Sequence, residues 1–266
     1  MISRAERSAN YAILALFAVF ALAPIGTVLV TALGPDDASN GGGIANFARA
    51  FGAGHFGTYL RMSLLVSVFV VTVSAVLSIL SGFALGTMRF RGSTVLFYVF
   101  LLGIMMPSEA IVVPLYFDLR ALGLTDTFWA VALPQVAQSV AFGTFWMRAF
   151  FRTSSRTLVE AARLDGAAPR TILWRVLVPV ARPAVTTLVV LTFMWTWNEF
   201  LIPLVMVTAE GLRTAPLGLA FFQGQHTQGF TLLAAGAVIV ATPVVALYLF
   251  LQRQFIAGML GGAVRE

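Results

Sequence analysis

The sequence predicts an all-α integral membrane protein with about six transmembrane helices. Three observations carry that prediction. First, 59% of the 266 residues are hydrophobic and only 11% are charged, with a mean hydropathy of +0.90. A soluble domain carries about a quarter charged residues, so this chain has too few charges to cover a water-exposed globule. Second, six stretches are long and apolar enough to cross about 30 Å of hydrocarbon: 11–33, 62–86, 93–117, 127–149, 184–207 and 230–252. Third, no stretch alternates over about ten residues as a barrel strand does. Too much apolar surface excludes disorder. The absence of cysteine excludes a disulfide scaffold, thiolate catalysis, Fe–S clusters and cysteine zinc sites.

In order along the chain, 11–33 comes first. Arg4 and Arg7 with Ala21-Leu22-Ala23 have the outline of a signal peptide. The apolar run continues past Pro24 to Leu33, so a retained helix is expected. The formal charge is +6, and all 17 basic residues are Arg. An N-terminus in the cytoplasm puts Arg4, Arg7, Arg89, Arg91, Arg148, Arg152, Arg156, Arg163, Arg170, Arg175, Arg182, Arg253 and Arg265 inside. Only Arg49, Arg61, Arg120 and Arg213 are left outside, together with Asp36, Asp37, Asp118, Asp126 and Glu210. By the positive-inside rule both termini are cytoplasmic, and the basic excess faces that side of the membrane rather than nucleic acid. The outer segment 34–60, with Gly41-Gly42-Gly43, Gly52, Gly54 and Gly57, reads as a flexible loop. The outer segment 208–229 holds Gln223, Gln225, His226, Thr227 and Gln228. No internal repeat or low-complexity tract interrupts what reads as a single membrane domain over 1–266.

The inner segment 150–183 differs in kind. Leu158, Ala161, Ala162, Leu164, Ala167 and Ala168 give a weak apolar stripe. Glu160 precedes Arg163 by three residues, a spacing that pairs along a helix. Gly166 stops the helix, and Pro169 opens a second one at its first position. The second helix runs through Ile172, Leu173, Val176 and Leu177, and Pro179 and Pro183 break the return into the membrane. A helix, a tight turn and a helix lying on the membrane face fit two roles. One is an interfacial amphipathic element held by Arg at the headgroups; the other is a docking element for a soluble partner.

Glu160-Ala161-Ala162, then Asp165-Gly166-Ala167, then hydrophobics through Pro179, resemble the EAA loop of ABC importer permeases. The family pattern usually has Leu where this chain has Val178, and often Pro where Ser154 and Ser155 stand. Three further stretches are similar to the carbohydrate (maltose-type, MalG-like) permeases. They are Pro114-Leu115-Tyr116 with Leu122-Gly123-Leu124-Thr125-Asp126-Thr127, Trp197-Asn198-Glu199-Phe200-Leu201, and the tail from Gln252 to Gly258 and Gly261 to Arg265. The family commonly has Asn at the position of Met62. The resemblance implies a type I ABC importer permease in a bacterial cytoplasmic (inner) membrane. Its 160–183 loop would couple to an ATPase through Glu160, Ala161, Ala162, Leu164, Asp165, Gly166 and Ala167. It also implies a second, MalF-like permease subunit, two ATPase subunits and an extracytoplasmic sugar-binding protein, with an extended tail (253–266) near the ATPase. The chain itself would bind no cofactor, ATP and Mg being held by the partner ATPase, and would be a transport subunit rather than an enzyme. No P-loop pattern occurs, and without Lys no nucleotide-binding lysine is possible.

Glu109 and Glu199 fall inside expected spans, where a carboxylate needs a cavity or a partner. Three roles compete for Glu199: a sugar-binding carboxylate, a structural pair or helix cap, and a proton relay. Trp195, Trp197 and Asn198 beside it suit sugar stacking or ordinary packing. Pro107 and Pro114 around Glu109 predict a distorted helix of the kind that lines cavities. Glu109, Trp195, Asn198 and Glu199 are therefore the candidate substrate path. The alternatives are a proton-coupled secondary transporter using Glu109 or Glu199, and an intramembrane enzyme; the sequence offers the latter no nucleophile–base pair. His55 and His226 have no metal-ligand spacing, so no metal site is expected.

Overall fold

The computed structural model describes residues 4–36, 39–154, 156–225 and 230–260. Ser155, His226, Thr227, Gln228 and the stretch from Gly261 to Arg265 lie outside the described residues. The elements in chain order begin with α1 (Arg4–Leu33), β1 (Pro35–Asp36), β2 (Ser39–Gly42), α2 (Ala45–Ala53) and α3 (Phe56–Thr87). Next come α4 (Ser93–Met105), α5 (Ser108–Ala121), α6 (Phe128–Ser154) and α7 (Arg156–Leu164). Then follow α8 (Pro169–Thr171), a π-helical turn (Ile172–Leu177), α9 (Val178–Val180), α10 (Arg182–Asn198) and α11 (Leu201–Met206). A 3-10 turn (Glu210–Leu212), α12 (Ala215–Gln225) and α13 (Phe230–Leu260) complete the chain. The residues form two compact units: Met1–Gly57 with Gly218–Thr242, and Thr58–Leu217 with Pro243–Glu266.

In the first unit the expected flexible loop is largely ordered. β1 and β2 pair antiparallel, with Pro35 opposite Gly42 and Asp36 opposite Ser39. Gly43, at φ +78°, turns the chain out of the ladder into α2. Asn46 is fully buried, and its Nδ2 donates to the carbonyls of Ala32 (2.8 Å) and Gly34 (2.9 Å). It thereby serves carbonyls that the end of α1 leaves unpaired. This capping residue ties the segment to the end of α1. Ala32, Ala50 and Ala235 form the small core of this unit.

The second unit is built around α6, whose 27 residues extend about 40 Å at 1.5 Å each. A glycine seam lets α3 approach it closely. A Cβ at Gly82 would lie 2.6 Å from Met147 Cβ, and one at Gly143 only 2.1 Å from Ser78 Oγ. Gly82 and Gly86 are four apart, the small-residue spacing that packs helices tightly in lipid. Ser81 Oγ and Thr144 Oγ1 share a 2.6 Å hydrogen bond across the same seam. Two cores flank it. One joins Met62, Val66 and Val70 of α3 to Ala130 and Val131 of α6 and to Ile202 and Met206 of α11. The other joins Ile79, Phe83, Met147 and Phe151 to Val159, Ile172, Leu173 and Leu177.

Among the described residues, three helices are each long and apolar enough to cross a bilayer: Glu6–Leu33, Phe56–Thr87 and Phe230–Arg253. Two of the expected continuous stretches are broken instead. In 93–117, α4 and α5 meet at 100° across Met106-Pro107, because Pro107 has no N–H and disfavours helix in the residue before it. In 184–207, the helix stops at Asn198, Glu199 is extended, and α11 starts at Leu201. A further bend of 78° separates Pro169–Val180 from α10. The tail expected to be extended continues α13 as helix through Leu260. Gly258 alone costs such a helix only about 1 kcal/mol.

Candidate functional site: a coupling loop and a recess at broken helices

The 156–180 loop is rigid by construction. α7 ends in a Schellman motif, with Gly166 N–H donating to Arg163 O (3.0 Å) and Ala167 N–H to Ala162 O (2.9 Å). Gly166 sits at φ +75°, the left-handed region that favours glycine. A Cβ there would meet nothing within 4 Å, so the requirement comes from the backbone and not from neighbours. Pro169 occupies the first turn of α8, where a missing N–H costs nothing. The loop divides into two faces. Val159, Ile172, Leu173 and Leu177 are buried against α3 and α6, with Ala162 and Ala167 half-buried beside them. Leu158, Glu160, Ala161, Leu164 and Asp165 are exposed, Leu164 at 89% of its surface. Arg163 donates to Thr87 O (3.4 Å) and Arg148 to Leu85 O (3.3 Å). Both arginines thus serve the C-terminal carbonyls of α3, where cations suit the helix dipole. Arg148 also stacks 3.6 Å above the Phe97 ring. Of the seven coupling residues read from the sequence, Glu160, Ala161, Leu164, Asp165 and Gly166 face outward. Ala162 and Ala167 pack inward on the chain's own core.

The second feature is a recess of about 490 Å³ where the α4–α5 break, α6 and the end of α10 converge. Trp195, Asn198 and Glu199 line it, so three of the four candidate path residues come together. Glu109 is not among the lining residues; it is exposed in the first turn of α5. Glu199 Oε1 accepts from Ile202 N–H at 3.0 Å, which makes the carboxylate a cap for α11. Asn198 Nδ2 donates to Met194 O (2.7 Å). Trp195 stands edge-on to Phe142, ring centres 4.7 Å apart, with half its surface open. Trp197 is buried and stacked on Phe193 at 5.5 Å, the packing role rather than the sugar role. Sequence reasoning missed Ser108, Gln135, Gln138 and Ser139, which also line the recess. Pro134 inside α6 was the available signal, since an intramembrane proline beside paired glutamines marks a polar helix face.

A third group sits before α6, at the opposite end of that helix from the loop. Asp126 adopts φ +57° and its carboxylate accepts from Thr208 N–H, Ala209 N–H and Thr208 Oγ1, each at 2.9 Å. Its own N–H donates to Met206 O at 2.9 Å. The N–H groups of Ala209 and Thr208, with the Thr208 hydroxyl, hold this carboxyl below its usual range.

Residues 74–260 match the family described as binding-protein-dependent transport system inner membrane component, and the chain belongs to that family. It is therefore a multi-pass transport permease of a bacterial inner membrane. It is 30% identical to the trehalose transport system permease protein SugB of Mycobacterium tuberculosis, over 98% of this chain and 99% of that one. It is 32% identical to the arabinooligosaccharides transport system permease protein AraQ of Halalkalibacterium halodurans, over 80% and 76% respectively. Among solved structures, it superposes with TM-score 0.77 and 25% identity on a bacterial ABC transporter involved in the import of the acidic polysaccharide alginate, over 96% of this chain and 99% of that chain. The expected type I ABC importer permease fold is thereby established.

Proposed function

We propose that this chain forms half of the translocation path of an ATP-driven importer for a carbohydrate. Both termini are cytoplasmic, and a second, MalF-like permease supplies the other half. Two ATPase subunits bind on the cytoplasmic side, and an extracytoplasmic sugar-binding protein delivers the substrate. The observation that carries this reading is the two-faced loop. Its inner face is locked into the core of α3 and α6. Its outer face presents Leu158, Ala161 and Leu164 with Glu160 and Asp165 around a tight turn. A loop free to slide along a headgroup layer needs no such anchoring; a loop that transmits force does. Closure of the ATPase dimer moves this loop as a rigid body, and the core of Ile79, Phe83, Met147 and Phe151 passes the movement to α3 and α6. The ATP, and the Mg that accompanies it, stay on the ATPase.

The test is recovery of the ATPase in a detergent pull-down of this chain co-expressed with its second permease. Gly166→Glu places a charged side chain on the docking face without a clash inside the fold. ATPase recovery falls at least tenfold while membrane insertion is retained. Undiminished recovery with Gly166→Glu would refute the coupling role of the loop.

A further inference from the structure

The carbohydrate reading leaves open which chemistry of sugar this chain's half of the path accepts. We infer that the recess at the α4–α5 break is a binding site for neutral sugars that discriminates against uronates and other anionic saccharides. The inference rests on the importer reading and deepens it.

Two properties of the recess carry it. The first is charge. All 17 basic residues of the chain are Arg, and none of them lines the recess. The one ionisable group among the lining residues is Glu199, fixed in place by the Ile202 N–H. A bound carboxylate would find no cation of this chain to pair with and would meet a like charge, which repels it. The second is hydrogen-bonding capacity. Gln135 is only 4% exposed; its Nε2 donates to Val131 O at 2.9 Å, and its Oε1 has no protein donor. The amide cannot be reversed without facing oxygen to oxygen, so the unpartnered atom is an acceptor. A buried acceptor calls for a donor, which a saccharide hydroxyl supplies; uronates carry hydroxyls too, so this atom accounts for sugar binding and the charge of the recess for the discrimination. Gln138 Nε2 donates to Ser108 Oγ at 3.2 Å, leaving the Ser108 hydroxyl hydrogen to point at a ligand oxygen. The half-open Trp195 ring, braced by Phe142, offers an apolar face for sugar C–H groups. Acceptors, a hydroxyl donor and an aromatic face without a cation make up a neutral-sugar site.

The experiment uses the assembled transporter in lipid nanodiscs, with its ATPase content verified first. Intrinsic tryptophan fluorescence is titrated with trehalose, arabinotriose and trigalacturonate. At least one neutral sugar gives a saturable change that Trp195→Phe abolishes, and trigalacturonate binds at least about tenfold more weakly. Gln135→Leu weakens the neutral sugar about tenfold, by loss of the acceptor, and Gln138→Arg brings trigalacturonate to parity or better. Four results would overturn the inference: trigalacturonate binding as tightly as the neutral sugars, no saturable change with either neutral sugar, a signal that survives Trp195→Phe, or wild-type affinity in Gln135→Leu. Absence of ATPase from the wild-type assembly overturns the importer reading instead, so the two failures are read on different gauges.

Discussion

The coupling loop and the recess are both built where helices break, yet one of the two breaks at the recess is made in a way the loop does not use. At the loop, backbone chemistry does the breaking: Gly166 at φ +75°, and Pro169, Pro179 and Pro183 in the first turns of α8, α9 and α10. At the recess, Pro107 parts α4 from α5 by the same backbone chemistry, but a side chain stabilises the second break. Helix α10 ends on Asn198 with no glycine or proline at the interruption, and Glu199 caps the short helix that follows. The first kind of break leaves a lever whose backbone groups at the turn are satisfied internally. The second leaves polar side chains beside a cavity. A part that transmits force and a part that receives a ligand are thereby made from the same helical material.

Substitutions can break or sharpen that contrast. The largest effect is expected at the loop's outward face. Leu164→Asp, like Gly166→Glu, abolishes ATPase recovery and leaves sugar binding at the recess within twofold of wild type, read by pull-down and fluorescence titration on the same preparations. Gly166→Ala sharpens the point, because it carries only the left-handed backbone penalty of about 1 kcal/mol. It lowers the melting temperature slightly and retains ATPase recovery, which separates turn strain from partner contact. At the recess, Glu199→Ala removes the cap from α11 and costs about 1 kcal/mol in thermal unfolding, with ATPase recovery unchanged. The smallest effect belongs to Asp126. Its carboxyl is held below the ordinary value, so its contribution is present above the unfolded pKa of about 4 and fades as pH falls through the lower folded value. Melting curves of wild type and Asp126→Asn therefore differ at pH 7 and converge as the pH is lowered below about 4.

What could be read in advance follows the same division. The loop was legible because glycine and proline act locally: Gly166 stops a helix and Pro169 starts one whatever surrounds them. Its inward and outward faces were not legible. Val159, rather than Leu158 or Leu164, is the buried anchor, and only packing against Phe151 and Leu173 decides that. The recess was half legible. Trp195, Asn198 and Glu199 stood out as polar or aromatic groups in one stretch, and they do meet in space. Gln135 and Gln138 belong to a different helix, and no spacing along the chain brings them to Glu199. Glu109 is the reverse case: its flanking prolines predict the broken helix, and the break turns it out of the recess. Asp126 was read as an outer-segment acid and as part of a stretch resembling other permeases, while its role depends on Thr208 and Ala209, more than eighty residues away. Asn46 was hidden in the same way, because its partners are the carbonyls of Ala32 and Gly34.

The central claim is that the loop's exposed face is the ATPase contact and its buried face the anchor. The chain has no native cysteine, so single cysteines report cleanly. Leu164→Cys and Val159→Cys variants would be labelled with a maleimide in the assembled membrane complex, with and without the ATPase subunits. The account predicts that Leu164→Cys labels rapidly alone and is protected at least tenfold by the ATPase, while Val159→Cys, replacing a side chain only 5% exposed, labels slowly in both. Equal labelling of Leu164→Cys with and without the ATPase would contradict it.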